Sequence, residues 1–284
     1  MICSRALLIS VILSTASAGK NCAQEPTLVR VDGRQVEVIQ LGTGSPTLVL
    51  ESGGGEDAAQ WKSILPELAK ETHVIAYSRA GFGKSDPGRA EVAAPSPQAS
   101  VRDLHELLQV LGERAPVVLA GHSWGGLLVR LYASTYPTEV AGLVLIDGTH
   151  ESQFKRWQEV EPAFNFADSI RALTSKMPPR VRAMYEQLLE IEAAQRVDGM
   201  KPLADMPLAV ITAVKQCPPD GDFPCRSPRA LAVWRQLHDE WFARSTDGLR
   251  LVSSGTAHYV MNDQPSLITT AVRFVVGEVR ARPH

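Results

Sequence analysis

The stretch that decides the fold is residues 117–126, which read VVLAGHSWGG. Its first four residues are apolar and predict a buried strand, and residues 125–136 have the pattern of a helix. Between strand and helix, two glycines flank Ser123 in the spacing G-x-S-x-G. Glycines at these positions allow a tight, strained turn, so we expect the Ser123 hydroxyl to stand above the edge of a sheet.

Strands and helices alternate along the chain on both sides of this turn. Such alternation predicts an α/β fold with a mostly parallel, eight-stranded sheet and helices on both faces. Asp32-Gly33, between the first two strands, is a strong hairpin signal. The predicted strands are 28–31, 35–41, 47–51, 73–77, 117–120, 143–146, 208–212 and 249–252. The predicted helices are 57–70, 101–111, 125–136, 227–243 and 265–280.

The segment from about 150 to 203 interrupts this alternation. It is helical sequence dotted with the aromatic residues Phe154, Trp157, Phe164, Phe166 and Tyr185. We interpret it as a helical lid inserted into the main domain, and call it the lid segment below. An ordinary pair of packing helices fits the same periodicity.

The composition of the 284 residues is that of a globular protein. Hydrophobic residues make up 44% and charged residues 21%, which excludes disordered, collagen-like and coiled-coil chains. The 29 basic and 31 acidic side chains nearly balance, so nucleic acid is not an expected partner. The expected partner is a small-molecule substrate, and the composition leaves the oligomeric state open.

The N-terminus resembles a targeting segment. One positive charge in residues 1–5 precedes the apolar run ALLISVIL, and Ala16-Ser17-Ala18 is an A-x-A cleavage site. This pattern predicts a signal peptide at 1–18, followed by one domain at 19–284 that is exported to a periplasm or out of the cell. The run is far shorter than the roughly 20 residues that span a bilayer, so no stable membrane span is expected.

The four cysteines agree with export. Cys217 and Cys225 enclose the short loop CPPDGDFPC, which favours a disulfide in an oxidising compartment. Cys3 lies within the predicted signal peptide, and Cys22 is left without a predicted partner.

A serine hydroxyl is a poor nucleophile at neutral pH and needs a base. Among the seven histidines, His258 follows a predicted strand and precedes the last predicted helix. We therefore expect His258 to be the general base for Ser123. Structural or surface roles are expected for His73, His105, His122, His150 and His238.

In esterases and proline iminopeptidases the nucleophile sits in a sharp turn between a strand and a helix, the nucleophile elbow. Residues 121–126, GHSWGG, are similar to the elbows of these enzymes. The resemblance to the α/β-hydrolase family extends over nearly all of the chain after the predicted signal peptide. It implies a hydrolase in which Ser123 attacks the substrate and His258 takes up the proton. Serine rather than aspartate at the elbow disfavours the dehalogenase and epoxide-hydrolase branches.

Two further loops carry the resemblance. Residues 48–54, LVLESGG, resemble the family's strand and oxyanion loop, with Ser52 where many members have His. The resemblance implies that the backbone N–H groups of Gly54 and Trp124 hold the oxyanion. Residues 77–86, YSRAGFGKSD, resemble the family's D-x-x-G-x-G-x-S loop, with Ser78 in place of the first acid. This replacement predicts a looser loop without a catalytic consequence.

The acid of a triad has two candidate positions. Family members usually place it after the strand before the last crossover, where this chain reads AVKQ at 213–216. The next acids are Asp220 and Asp222, inside the loop between the two cysteines. Other members carry the acid at the end of the strand after the nucleophile helix, which here is Asp147. We favour Asp147, because the carboxyl ends of parallel strands form the ligand-binding edge, and keep Asp220 and Asp222 open.

These residues together predict a secreted serine hydrolase that cleaves small to medium carboxylic esters through an acyl-enzyme. No zinc-ligand spacing and no dinucleotide fingerprint occurs, so neither a metal nor a cofactor is expected. A proline iminopeptidase-like aminopeptidase is one alternative, with Glu151, Glu159 and Glu161 to hold the amino group. A non-catalytic protein of the same fold that binds a small ligand is the other.

Overall fold

The computed structural model describes residues 25–87, 95–113, 116–218, 220 and 223–282. The predicted signal peptide, with Cys3 inside it, lies outside the described residues, as do Cys22 and Asp222. In this described part of the chain no helix is long and apolar enough to cross a membrane.

The sheet has eight strands, as predicted, in the order β1-β2-β4-β3-β5-β6-β7-β8. β2 runs antiparallel to β1 and β4, and every other neighbouring pair is parallel. Asp32 and Gly33 form the predicted hairpin turn, with φ of 45° and 81°. The strands are β1 Thr27–Val31, β2 Arg34–Leu41, β3 Leu48–Glu51, β4 Val74–Tyr77, β5 Val117–His122, β6 Val140–Ile146, β7 Leu208–Ala213 and β8 Gly248–Ser253.

Helices cover both faces of this sheet. The α-helices within the described residues are α1 Leu65–Leu68, α2 Pro97–Val110, α3 Trp124–Thr135, α4 Gln153–Val160, α5 Phe166–Thr174, α6 Pro179–Ala194, α7 Pro228–Phe242, α8 Val260–Asp263 and α9 Pro265–Ala281. Successive residues of a strand point to opposite faces, so Val49 packs with the α2 and α3 side while Leu48 and Leu50 pack with the α9 side. The α/β fold class predicted from the sequence is therefore confirmed.

The single helix predicted at 57–70 is wrong. A short 3-10 helix at Ala58–Trp61 and the one-turn helix α1 take its place. Asp57 caps the first of these, since its side chain accepts from the N–H of Ala59 at 2.7 Å. Pro66 stands in the first turn of α1, where its missing N–H costs nothing, and so favours a new start over a continuous helix.

The lid segment forms the helices α4, α5 and α6 between β6 and β7. Trp157 and Phe166 pack with Trp234 of α7 in an aromatic cluster that Phe164 and Phe223 join. That this segment acts as a lid stays a prediction. The predicted disulfide between Cys217 and Cys225 is present, in the loop before α7.

Candidate active site

Ser123 occupies the turn between β5 and α3 in a strained conformation with a positive φ of 53° and a ψ of −120°. Only glycine fits two positions before it and two positions after it. A Cβ on Gly121 would lie 2.3 Å from the carbonyl oxygen of Gly125, and a Cβ on Gly125 would lie 2.3 Å from that of Glu51. The two glycines therefore let the strand, the turn and the end of β3 approach closely, and Ser123 is left half-buried at the carboxyl edge of the sheet.

Asp147 and His258 meet at the same edge. Asp147 directly follows β6, and His258 lies in the loop of residues 254–259 after β8, called the β8 loop below. The Asp147 Oδ2 atom lies 2.7 Å from His258 Nδ1. Its Oδ1 atom accepts hydrogen bonds from the backbone N–H of Ala213 at 2.9 Å and from the Trp234 indole N–H at 2.7 Å. Both carboxylate oxygens are thus satisfied, and the side chain is only 4% exposed.

The surroundings of Asp147 favour its ionised form. Burial by itself raises the pKa of this carboxyl, but the hydrogen bond and the charge of His258, the nearby His238 and the Ala213 N–H outweigh burial and lower the pKa. An ionised Asp147 can only accept a hydrogen bond, so the hydrogen of a neutral His258 ring belongs on Nδ1. The Nε2 atom then keeps a lone pair, which a general base requires.

The two other candidate acids belong to the loop between Cys217 and Cys225. Asp220 is exposed in the disulfide loop, and Asp222 lies outside the described residues. Of the two candidates within the described residues, Asp147 and Asp220, only Asp147 contacts His258. In the described part of the chain no hydrogen bond joins the Ser123 hydroxyl to His258. The His258 ring stands beside the elbow, with its centroid 4.6 Å from that of His122.

Two unpaired N–H groups lie next to Ser123. The loop of residues 52–56 after β3, called the β3 loop below, passes beside the elbow. A Cβ on Gly53 would lie 3.6 Å from the Ser123 Cβ, and a Cβ on Gly54 would lie 3.6 Å from the Trp124 Cβ. Within the described residues, the N–H groups of Gly54 and Trp124 donate to no acceptor, whereas the Gly53 N–H donates to Gln60. Gly54 and Trp124 are thus available to hold a developing negative charge.

Arg79, which was not predicted from the sequence, binds the backbone of the β3 loop. Its guanidinium donates to the carbonyl oxygens of Ser52 at 2.6 Å and Gly53 at 2.5 Å. It also forms a buried ion pair with Glu51 at 2.6 Å, and Tyr77 donates to the same carboxylate. The available signal was an arginine two positions after the apolar strand β4, because a charge that becomes buried needs partners.

The loop after β4 is not looser, contrary to the expectation from Ser78. Glu37 on β2 supplies the missing carboxylate, and its Oε2 accepts from the Ser78 hydroxyl at 2.7 Å and from the Lys84 N–H at 3.1 Å. Ser78 in turn accepts from the Ala58 N–H at 3.0 Å. A neighbouring strand has therefore replaced the acid of the family's loop motif.

The three acids that the aminopeptidase alternative requires, Glu151, Glu159 and Glu161, do not form a cluster. Glu151 is engaged by Arg130 in a two-pronged ion pair at 2.9 and 3.0 Å. Glu161 accepts from the Ser227 hydroxyl, and the Glu159 side chain is 57% exposed. Over the described ranges, no group of three or more His, Cys, Asp or Glu side chains is arranged to hold a metal ion.

The comparison with known families agrees with this geometry. Residues 46–207 match the model of the alpha/beta hydrolase fold family, which is more than half of the chain. The chain therefore belongs to the α/β-hydrolase fold family, and it is a hydrolase of that superfamily.

Individual relatives span different parts of the chain. It is 23% identical to the uncharacterized protein YqjL of Bacillus subtilis over 236 residues, which cover 81% of this chain and 83% of YqjL. It is 30% identical to epoxide hydrolase 4 of Mus musculus over 163 residues, 52% of this chain and 43% of that protein. A thermophilic esterase from Thermogutta terrifontis has the same fold, with a TM-score of 0.64 and 20% identity over 90% of this chain and 99% of the esterase.

Proposed function

We propose that this protein is a serine hydrolase that cleaves small to medium carboxylic esters, with Ser123 as nucleophile, His258 as base and Asp147 as the acid. The observation that carries the proposal is the 2.7 Å hydrogen bond between Asp147 and His258, at the sheet edge where Ser123 occupies its strained turn. Nucleophile, base and orienting acid are the three parts that acyl transfer through a serine requires.

The proposed reaction has two halves. The Ser123 oxygen attacks the ester carbonyl carbon while His258 Nε2 takes its proton, and the N–H groups of Gly54 and Trp124 stabilise the resulting oxyanion. The carbon–oxygen bond to the alcohol then breaks, and the alcohol leaves with the proton from His258. A water molecule, deprotonated by His258, attacks the acyl group on Ser123. The carboxylic acid leaves, and the serine recovers its proton.

The name of the relative epoxide hydrolase 4 raises the possibility that this protein opens epoxides. The residue at the nucleophile elbow argues against that activity. An aspartate nucleophile at the elbow would attack through its carboxylate, whereas this chain has Ser123 there. A serine with an oriented histidine favours attack on a carbonyl carbon.

The side chains near the elbow support an apolar substrate group. Met184 of α6 lies over the β3 loop, since a Cβ on Gly54 would approach its Cε to 2.5 Å. Trp124 belongs to the same buried cluster as Met184 and Leu188. Such a surface favours an acyl or alcohol chain of modest length over a charged group.

We also propose that the protein is exported. The apolar run and the A-x-A site at the N-terminus support this proposal. The Cys217–Cys225 disulfide supports it as well, because disulfides persist in oxidising compartments.

A fluorophosphonate probe tests the nucleophile whatever the substrate is. We expect intact mass to show one adduct on the folded protein and none on Ser123→Ala, because only an oxygen activated by a base reacts quickly. Turnover of a short-chain ester should fall by about 10⁴–10⁶ in the same variant. No adduct on well-folded wild-type protein would overturn the serine mechanism and leave the ligand-binding alternative.

A further inference from the structure

Three hydrogen bonds connect the β3 loop to the β8 loop through two side chains without a role in the proposed reaction. The Gly53 N–H donates to Gln60 Oε1 at 2.9 Å. The Gln60 Nε2 atom lies 2.6 Å from His122 Nδ1, and His122 Nε2 lies 2.8 Å from the carbonyl oxygen of His258. His122 is 1% exposed, so its ring depends on these two protein partners rather than on water.

The two ends of this chain fix the direction of every bond in it. A backbone N–H only donates, so the Gln60 oxygen faces Gly53 and the Gln60 amide nitrogen faces His122. A carbonyl oxygen only accepts, so the hydrogen of the His122 ring is on Nε2 and the lone pair is on Nδ1. Only the neutral ring in this one tautomer satisfies both neighbours. Burial, together with the nearby His258, lowers the pKa of His122 to about 3, which agrees with a neutral ring.

Each end of the chain belongs to a different part of the candidate site. Gly53 immediately precedes Gly54, whose unpaired N–H is one of the two candidate oxyanion donors. The His258 carbonyl belongs to the residue whose ring contacts Asp147. Arg79 holds the carbonyl oxygens of the β3 loop, but the described residues offer the Gly53 N–H no partner other than Gln60. The exposed tips of the two loops are also joined directly, by the hydrogen bond from the Tyr259 hydroxyl to Glu56 at 3.1 Å. The chain through Gln60 and His122 is the connection that ends on Gly53 and on His258 themselves.

We infer that Gln60 and His122 are positioning residues, which hold the candidate base and the candidate oxyanion donor at the separation that the reaction needs. The inference rests on the proposed function. If Gln60 and His122 only filled space, their shapes alone would matter. If they position the two loops, the amide donor of Gln60 and the tautomer of His122 matter as well. The two roles therefore respond differently to a change that preserves shape.

Gln60→Glu is that change. The carboxylate still accepts from the Gly53 N–H but cannot donate to His122 Nδ1, so the bond persists only if His122 becomes protonated. We expect NMR of the ring nitrogens to show the neutral Nε2–H tautomer in the wild type between pH 5 and 8, and a titrating His122 in the variant. We expect kcat for a short-chain ester to fall about 10–100-fold, because small displacements of reacting groups cost this much, with KM changed less than about 3-fold.

The chain offers a matched control. Gln109 and His105 form another glutamine–histidine contact, at 2.9 Å, on the exposed side of α2. Gln109→Glu should leave kcat and KM at their wild-type values. If Gln60→Glu does not fold, Gln60→Asn, which keeps the amide but shortens its reach, should show the same selective loss of kcat.

The outcomes separate this inference from the proposed function. Absence of a fluorophosphonate adduct on wild-type Ser123 would overturn the hydrolase mechanism itself. A wild-type adduct together with an unchanged kcat in folded Gln60→Glu would overturn the positioning role and leave the mechanism intact. A wild-type His122 ring with its hydrogen on Nδ1 would overturn the hydrogen-bond chain irrespective of any activity.

Discussion

At the scale of single residues, the two carboxylate oxygens of Asp147 have different partners. Oδ1 accepts from the Ala213 N–H and the Trp234 indole, which fixes the side chain, and only Oδ2 faces His258. Because Asp147 has φ of 45° directly after β6, the turn itself directs the carboxylate toward the β8 loop. The acid is thereby held from two sides before any substrate binds.

The variant Asp147→Asn can keep the hydrogen bonds that fix the side chain while it changes the contact with His258. The Asn oxygen can still accept from Ala213 and Trp234, while its amide presents hydrogens to His258 Nδ1 and favours the tautomer with the hydrogen on Nε2. We expect the variant to fold and kcat to fall by about 10⁴. The exposed Asp220→Asn is the control and should retain wild-type turnover. Normal turnover in Asp147→Asn, together with its loss in Asp222→Asn, would reverse the assignment of the acid.

At the scale of elements, helix α6 sits directly on the β3 loop. Arg180 donates to the carbonyl oxygen of Ala80 at 2.9 Å, and Met184, one turn later, covers Gly54. The helix thus brings a buried, flexible side chain next to the place where the substrate carbonyl would bind. If the proposed function is right and the acyl side of the ester lies here, α6 limits the space for the acyl chain.

Met184→Ala should therefore shift the preference toward longer acyl chains. Methylene groups in an apolar pocket are each worth about 1–3 kcal/mol in specificity, so the ratio of kcat/KM for an octanoyl over a butanoyl ester should rise about 10-fold or more. Leu173→Ala, at an exposed position of α5, should leave this ratio unchanged. An unaltered ratio in folded Met184→Ala would show that α6 does not bound the acyl site.

Elements and single side chains differed in how well the sequence predicted them. The eight strands follow from short apolar runs, and the elbow from glycines that only a strained turn requires, so both were visible in local sequence. Asp147 was favoured because parallel strands end at one edge. The contacts of Glu37 with Ser78 and of Gln60 with His122 span 41 and 62 positions, and no local pattern signals such pairs. His122 was expected to be structural, since its neighbours could not be read from the chain.

At the scale of the whole molecule, buried titratable groups determine how stability depends on pH. Burial lowers the pKa of His122 to about 3, and that of His150 and His238 to about 4. Unfolded histidines take up a proton below about 6.5. Between these values the unfolded chain binds more protons than the native protein, so the free energy of unfolding falls as the pH falls.

Glu192 acts in the opposite direction. Burial raises its pKa to about 9, so it is protonated in the native protein at neutral pH, whereas an unfolded glutamate is ionised above about 4.3. The native protein then holds the extra proton, and the free energy of unfolding falls as the pH rises toward 9. Below about pH 7 the three histidines outweigh this one glutamate, and above it the glutamate dominates among these four groups.

From these four groups we therefore expect the free energy of unfolding to be greatest at about pH 7. It should decline by about 2–3 kcal/mol per pH unit toward pH 5, for a net difference of two protons, and by about 1.4 kcal/mol per unit toward pH 8, for one. Urea unfolding at these three pH values measures both slopes. The Phe154 N–H donates to Glu192 at 3.0 Å, and Glu192→Gln keeps an oxygen for this hydrogen bond. In this variant the free energy of unfolding should change less between the maximum and pH 8, and more steeply between the maximum and pH 5. A stability that does not change between pH 5 and 8 would contradict neutral, buried side chains at these four positions.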